Sequence, residues 1–175
     1  GASVTIAEKS ALILPDVDRE LVSLLERELR KDKIQVHTEA SPKVIETAGS
    51  GEKRITLSAK GQEMTLTAQH VLVADERRAS VDRLGLDKAG VSLRNSVILV
   101  DKRMQTDVSG IFAAGDVTGE PMLAHVAFAQ GKIAVGNALG KGAEMDYAAV
   151  PRCIYTSPEI ASVGITEQAA IAEGY

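Results

Sequence analysis

Thr106-Asp107-Val108-Ser109-Gly110-Ile111-Phe112-Ala113-Ala114-Gly115-Asp116, then Pro121-Met122-Leu123-Ala124-His125 and an Ala-rich run to Gly140, is the stretch whose reading decides the fold. Ile111 to Ala114 is apolar, too short for a helix and bounded by Gly110 and Gly115, which predicts a buried strand. Beyond Pro121 the period changes. Leu123, Val126, Ala127, Gln130, Ile133, Ala134 and Leu139 fall close to helical spacing, with Gly140 as a stop. The stretch reads as strand, turn and helix.

The turn is where chemistry is expected. Gly115 lets backbone approach a ligand closely, and Asp116 places a carboxylate at the carboxyl end of a strand, the end at which open α/β sheets bind ligands. An acceptor-only group there suits a polyol or ribose hydroxyl. The N–H groups of Met122 to His125 belong to the start of the following helix, and its dipole favours a ligand oxygen carrying negative charge. For Gly-Asp alone, a turn with an N-cap is the ordinary reading.

The full string from Thr106 to His125 resembles the second FAD motif of the flavoprotein disulfide reductases, the class I pyridine nucleotide-disulfide oxidoreductases. Its Pro-Met-Leu-Ala-His version is most similar to the dihydrolipoamide dehydrogenase branch. The resemblance implies that Asp116 holds the ribityl chain of FAD, and that Met122, Leu123, Ala124 and His125, following Gly115, lie along the flavin with backbone donors near its pyrimidine edge.

Composition sets the outer bounds. The 175 residues are 45% apolar, enough for a real core, and the net charge of −4 is spread without a basic stripe. With 3% aromatic residues there are few stacking platforms, so nucleic acid is not an expected partner. No apolar segment has membrane-spanning length, and Gly1 to Ile6 lacks a signal-peptide pattern, so no membrane association is expected. The expected location is the cytoplasm, or the mitochondrial matrix for a eukaryotic protein. The single cysteine, Cys153, excludes a CxxC or CxxxxC redox pair within these residues. Its apolar neighbours at strand-like spacing predict a buried, inert thiol.

Elsewhere the pattern is of alternating strands and helices. Ser3 to Ala7 reads as a strand ending at Glu8. A carboxylate ending the second strand of a dinucleotide-binding unit accepts from the adenosine ribose and repels a 2′-phosphate, so Glu8 would favour NAD over NADP; a solvated strand-end charge is the simpler alternative. Asp16 is placed to cap a helix with Asp18 and Glu20 in its first turn and Arg30 and Lys31 in its last; Val17, Leu21, Leu24, Leu25 and Leu29 form its packing stripe. Strands are predicted at Ile34–Thr38, Val44–Thr47, Arg54–Ser58, Met64–Thr67 and Val71–Ala74, with hairpin loops at Gly49-Ser50-Gly51 and Lys60-Gly61. His37 and His70 lack metal-ligand spacing and read as ordinary histidines. Val97 to Asp101 reads as a further strand, Lys141 to Asp146 as a polar boundary, and Thr166 as the start of a last helix.

Several of these segments also match the resemblance. The meander resembles the family's excursion within its NAD domain, where Val44 holds the position whose backbone meets adenine. Val150 to Gly164 resembles the opening of the dimer-interface domain. After Ala74 the chain departs from the family: Glu76 stands where relatives have the glycine of Gly-Arg-Arg-Pro-Asn, and Ala79 replaces the proline. A carboxylate side chain needs space and repels phosphate, which counts against NAD at this edge. Engineering, a different cofactor preference or loss of the NAD site would each produce it.

The fold class implied is α/β: parts of two Rossmann-like, doubly wound nucleotide-binding domains plus the start of an α+β dimer-interface domain. Residues 1–75 correspond to a partial NAD-binding domain, 76–143 to the returning part of the FAD-binding domain and 144–175 to the start of the dimerisation domain. The GxGxxG turn that precedes such a strand, the redox cysteine pair and the His-Glu dyad lie outside this sequence, so an excerpt or a shortened piece of a longer protein is expected. The implied function is a portion of a homodimeric oxidoreductase that passes electrons between dihydrolipoamide and NAD through FAD. Its substrate would be a small dithiol or disulfide, or a lipoyl domain. The alternatives are a mercuric or NADH-dependent disulfide reductase, or a non-catalytic interaction module; the chain by itself is expected to be inactive.

Overall fold

The computed structural model describes residues 1–75, 77–119 and 121–175. The chain divides into two compact units, one of Gly1–Ala74 with Pro151–Tyr175 and one of Asp75–Val150.

The first unit opens with a β-α-β element. Strand β1 (Thr5–Ala7) pairs in parallel with β2 (Gln35–His37), Ile6 opposite Val36, and helix α1 (Arg19–Lys31) forms the connection. Glu20 in its first turn and Arg30 and Lys31 in its last complement the dipole. The helix starts later than expected. Asp18, not Asp16, is its N-cap, and neither carboxylate caps it, because Asp18 accepts from the Glu167 N–H and Asp16 faces Arg152. Of the expected stripe Val17 and Leu25 are buried, packed with Ile13, Ile160 and Val22, a residue the stripe did not include, whereas Leu24 is exposed. Each fully buried aliphatic side chain here contributes about 1.5–3 kcal/mol.

Strands β3 (Ala40–Thr47), β4 (Lys53–Ala59) and β5 (Gln62–Ala68) form an antiparallel meander in that order. Lys60 and Gly61 both have positive φ, the conformation that matches a two-residue turn to strand twist. Ile55 and Leu57 are buried on alternate positions of the central strand β4. Val71–Ala74, expected as a strand, pairs with nothing described as strand. Leu72 and Val73 are exposed there, because β-branched composition makes no strand without a partner edge.

Short β6 (Leu93–Arg94) and β7 (Val97–Ile98) make a hairpin in the second unit after helix α2 (Leu86–Ala89), so the strand expected through Asp101 ends at Ile98. Helix α3 (Ala124–Ala138) packs Val126 and Ala134 against Met104 and Met145. It ends at Gly140, whose φ of 84° continues the chain out of the helix while Lys141 N–H donates to the Gly136 carbonyl. Leu139, counted in the expected stripe, is exposed. Ile111–Ala114 also differs from expectation. It is half-buried and extended, joined to Gln105 only by a bridge at Phe112, because residues 104–106 are the backbone alongside it among those described.

Met104 combines two features rarely found together: its side chain is 1% exposed and its φ is +63°. Asp101 holds that turn, its Oδ1 accepting from the N–H groups of Arg103 and Gln105 while its carbonyl accepts from Met104.

The first unit closes with the hairpin β8 (Arg152–Ile154) and β9 (Ile160–Ser162), followed by α4 (Glu167–Ala172). Thr166 Oγ1 caps α4 by accepting from Ala169 N–H at 3.2 Å. Cys153, expected to be buried, is exposed: Arg152 and Ile154 take the half-buried positions of β8 and the alternation turns the thiol outward.

Candidate functional site

Gly115 begins the turn with φ 86° and ψ −163°, a conformation essentially restricted to glycine. A single 3₁₀ turn, Asp116–Thr118, follows, closed by Thr118 N–H to the Gly115 carbonyl at 2.9 Å. The Thr118 hydroxyl donates to the same carbonyl, also at 2.9 Å. Asp116 is thereby held at the mouth of the turn with its side chain 44% exposed.

Beyond Pro121, Leu123 packs on the Met104 core and stands as N-cap of α3, an apolar residue whose own side chain makes no capping hydrogen bond. The start of a helix presents backbone N–H groups and the positive end of its dipole, which suit a ligand oxygen. Ala124 and His125 are exposed at that start, and Met122 is half-buried. Arg77 links the two segments: Nη1 lies 3.4 Å from Asp116 Oδ2, and Nη2 donates to the Met122 carbonyl. An open cleft bordered by Leu86, Ile98 and Ile111 runs along Ile111–Ala114 to Val117.

Three residues of this site escaped the sequence reading: Arg77, Gln130 and Tyr147. Gln130 is 2% exposed and supports the turn from α3, its Oε1 accepting from Gly115 N–H at 2.7 Å. Its Nε2 donates to the Tyr147 hydroxyl at 2.9 Å. An amide within an otherwise apolar helical stripe was the signal available for it. Upstream, Thr106 is buried and its hydroxyl shapes the turn into Ile111. Hydrogen bonds from Ser92, side chain first and N–H next, hold the Asp107 carboxyl below the usual aspartate range.

The other expected site residues lie in the first unit. Glu8 follows β1 directly; its N–H donates to the His37 carbonyl and its own carbonyl accepts from Ala40, so its backbone is fixed between β2 and β3. Its Oε1 accepts from Ser10 N–H at 2.7 Å. Val44 sits on β3 just past a bulge, paired with Thr56 and 48% exposed. The structure thus brings Gly115, Asp116 and Met122–His125 into one unit, and Glu8 and Val44 into the other. Glu76 lies outside the described residues; Ala79 packs half-buried beside Val81. Among the described residues no helix is long and apolar enough to cross a membrane.

Comparison with known proteins places this geometry. Residues 1–131 match the family profile described as pyridine nucleotide-disulphide oxidoreductase. Residues 150–175 match the dimerisation domain of the same family. A dihydrolipoyl dehydrogenase of Bacillus subtilis is 38% identical over 99% of this chain, and one of Thermus scotoductus is 39% identical over all of it. Among solved structures, LpdA of Mycobacterium tuberculosis superposes with a TM-score of 0.88 at 31% identity, covering 99% of this chain and 37% of its own. The HOCl-induced flavoprotein disulfide reductase RclA of Escherichia coli gives 0.84 at 25% identity, covering 99% of this chain and 39% of its own. The chain spans 37% and 38% of the length of the two curated relatives. With three quarters of its residues under one family profile and the same mixed α/β fold throughout, the chain belongs to the pyridine nucleotide-disulphide oxidoreductase family.

Proposed function

We propose that the chain is an internal portion of an FAD-dependent dithiol/disulfide oxidoreductase that passes electrons between dihydrolipoamide and NAD. The observation that carries this reading is the pairing, in one unit, of the Gly115-Asp116 turn with the N-terminal start of α3. These residues fit a flavin nucleotide. Asp116 offers an exposed carboxylate to ribityl hydroxyls, and the α3 start offers backbone donors and a positive dipole end to the pyrimidine edge. Bound there, FAD supplies the two-electron chemistry that joins a dithiol to a nicotinamide.

Glu8, ending β1 of a β-α-β element, fits an adenosine ribose hydroxyl, and its charge disfavours a 2′-phosphate; Val44 backbone would meet the adenine. In this assignment residues 1–75 belong to the NAD-binding domain, 76–143 to the FAD-binding domain and 144–175 to the dimerisation domain. The break between the compact units at Ala74 and Asp75 supports the first boundary, and the dimerisation-domain match from residue 150 supports the last. The parent protein would be a cytoplasmic homodimer acting on a small dithiol or a lipoyl domain.

Absorbance of the purified full-length protein tests the reading. Bound flavin is expected, with its loss on Asp116→Ala; no flavin in the parent protein, or full retention in the variant, would overturn it. Turnover with dihydrolipoamide against other disulfides then fixes the substrate.

A further inference from the structure

We infer that a hydrogen-bonded relay from Tyr147 through Gln130 to Gly115 sets the position of Asp116, making Gln130 a positioning residue for the flavin; this rests on the flavin reading above.

Gln130 is the seventh residue of α3, and its side chain runs back toward the N-terminal end of the helix, as helical side chains do. The chemistry of its partners fixes which way its amide faces. Gly115 N–H can only donate, so Oε1 must face it, and the 2.7 Å contact is a short, good hydrogen bond. Nε2 therefore faces Tyr147, whose hydroxyl accepts at 2.9 Å. Thr118 Oγ1 is 3.4 Å from Oε1 but 2.9 Å from the Gly115 carbonyl, so its one proton goes to the carbonyl and leaves Oε1 to Gly115.

The consequence falls on the next residue. Asp116 follows a glycine whose backbone has wide freedom, and one buried side chain restrains the N–H of that glycine. Without it the N–H would be buried unpaired or the turn would rotate to find another acceptor, and either change moves the Asp116 carboxylate. Tyr147 extends the restraint to the segment just before residue 150, where the dimerisation-domain match begins. An uncharged amide does this without placing a second negative charge in a 2% exposed site near Asp116.

The test uses the full-length flavoprotein and three variants, Gln130→Met, Gln130→Glu and Tyr147→Phe, with Asp116→Ala as the reference. The readouts are the flavin dissociation constant, the visible circular dichroism of bound flavin and the flavin midpoint potential. Gln130→Met keeps the shape and removes both hydrogen bonds; it is expected to weaken flavin binding about 5- to 150-fold and to alter the dichroism. Gln130→Glu keeps an acceptor for Gly115 but adds the buried negative charge that the amide avoids, so it is expected to bind flavin more weakly than the parent and to regain affinity as the pH is lowered and the carboxyl takes up a proton. Tyr147→Phe is expected to cost only a few-fold, because Tyr147 is 40% exposed and water can take the place of its hydroxyl. If Gln130→Met lowers thermal stability but binds flavin with unchanged affinity, dichroism and potential, the relay is only structural and the inference falls. If Gln130→Met does not fold, the Glu and Phe variants decide: flavin binding at wild-type strength in Tyr147→Phe, together with a loss in Gln130→Glu that lowering the pH does not reverse, overturns it. Retention of flavin by Asp116→Ala would instead overturn the flavin reading itself.

Discussion

Asp18, at the start of α1, accepts the N–H of Glu167, at the start of α4, at 2.7 Å, joining residues 149 positions apart within the first unit. A carboxylate between two helix N-termini serves both dipoles. Asp18→Ala should loosen α4 by about 0.5–2 kcal/mol. Amide hydrogen exchange is the measurement: Glu167 to Ala172 should exchange faster while the buried centre of α1 is unchanged. Equal protection in both proteins would refute the link.

Gly115→Ala should be costly for a reason of backbone rather than space. A Cβ there would meet the Ala127 Cβ at 3.5 Å, an ordinary contact, but φ 86° with ψ −163° is closed to alanine. A loss of about 1–3 kcal/mol in denaturant unfolding is expected, together with weaker flavin retention in the full-length protein.

Arg77→Ala tests the guanidinium bridging Asp116 and the Met122 carbonyl. Its ion pair is 67% and 44% exposed, so its loss should change stability by about 1 kcal/mol or less, and added salt should shrink even that. Flavin affinity at several ionic strengths would show whether Arg77 restrains Asp116 or only neighbours it. A salt-independent loss of several kcal/mol would contradict the exposed geometry.

Asp107 predicts a pH dependence. Its carboxyl is held below the usual aspartate range chiefly by the Ser92 side chain and then by its N–H, so the folded state binds the proton less readily than the unfolded state. Its contribution is complete above about pH 4 and is lost as pH falls through the folded value. Asp107→Asn keeps an acceptor for Ser92 but does not titrate. Thermal midpoints below about pH 4 should therefore fall less steeply in the variant than in the parent; parallel curves would remove Asp107 from the acid response.

Most of the local structure was legible in the residues. The helical stripe from Val126 to Ala134, the Lys60-Gly61 turn and the charge order of α1 each follow from short-range rules, and the structure realises them. What was not legible depends on partners distant in sequence. Ile111–Ala114 and Val71–Ala74 have strand composition, but pairing is set by which backbone lies alongside. Asp18, at the start of α1, gives its carboxylate to a donor near the other end of the chain instead of to its own helix, a partner that local spacing does not reveal. At the site, Asp116 and the start of α3 could be read from the string, whereas Arg77, Gln130 and Tyr147 become partners only through the turn's three-dimensional course.

The 1% exposed, positive-φ residue Met104 restricts how this segment can drift during evolution. Glycine would relax the main chain there but leave a void, a residue branched at Cβ could not adopt the angle, and a polar one would be stranded away from water. Each single-step exchange trades one defect for another. Sequence divergence among descendants of this protein should therefore pass around position 104, accepting little besides a long apolar side chain unbranched at Cβ.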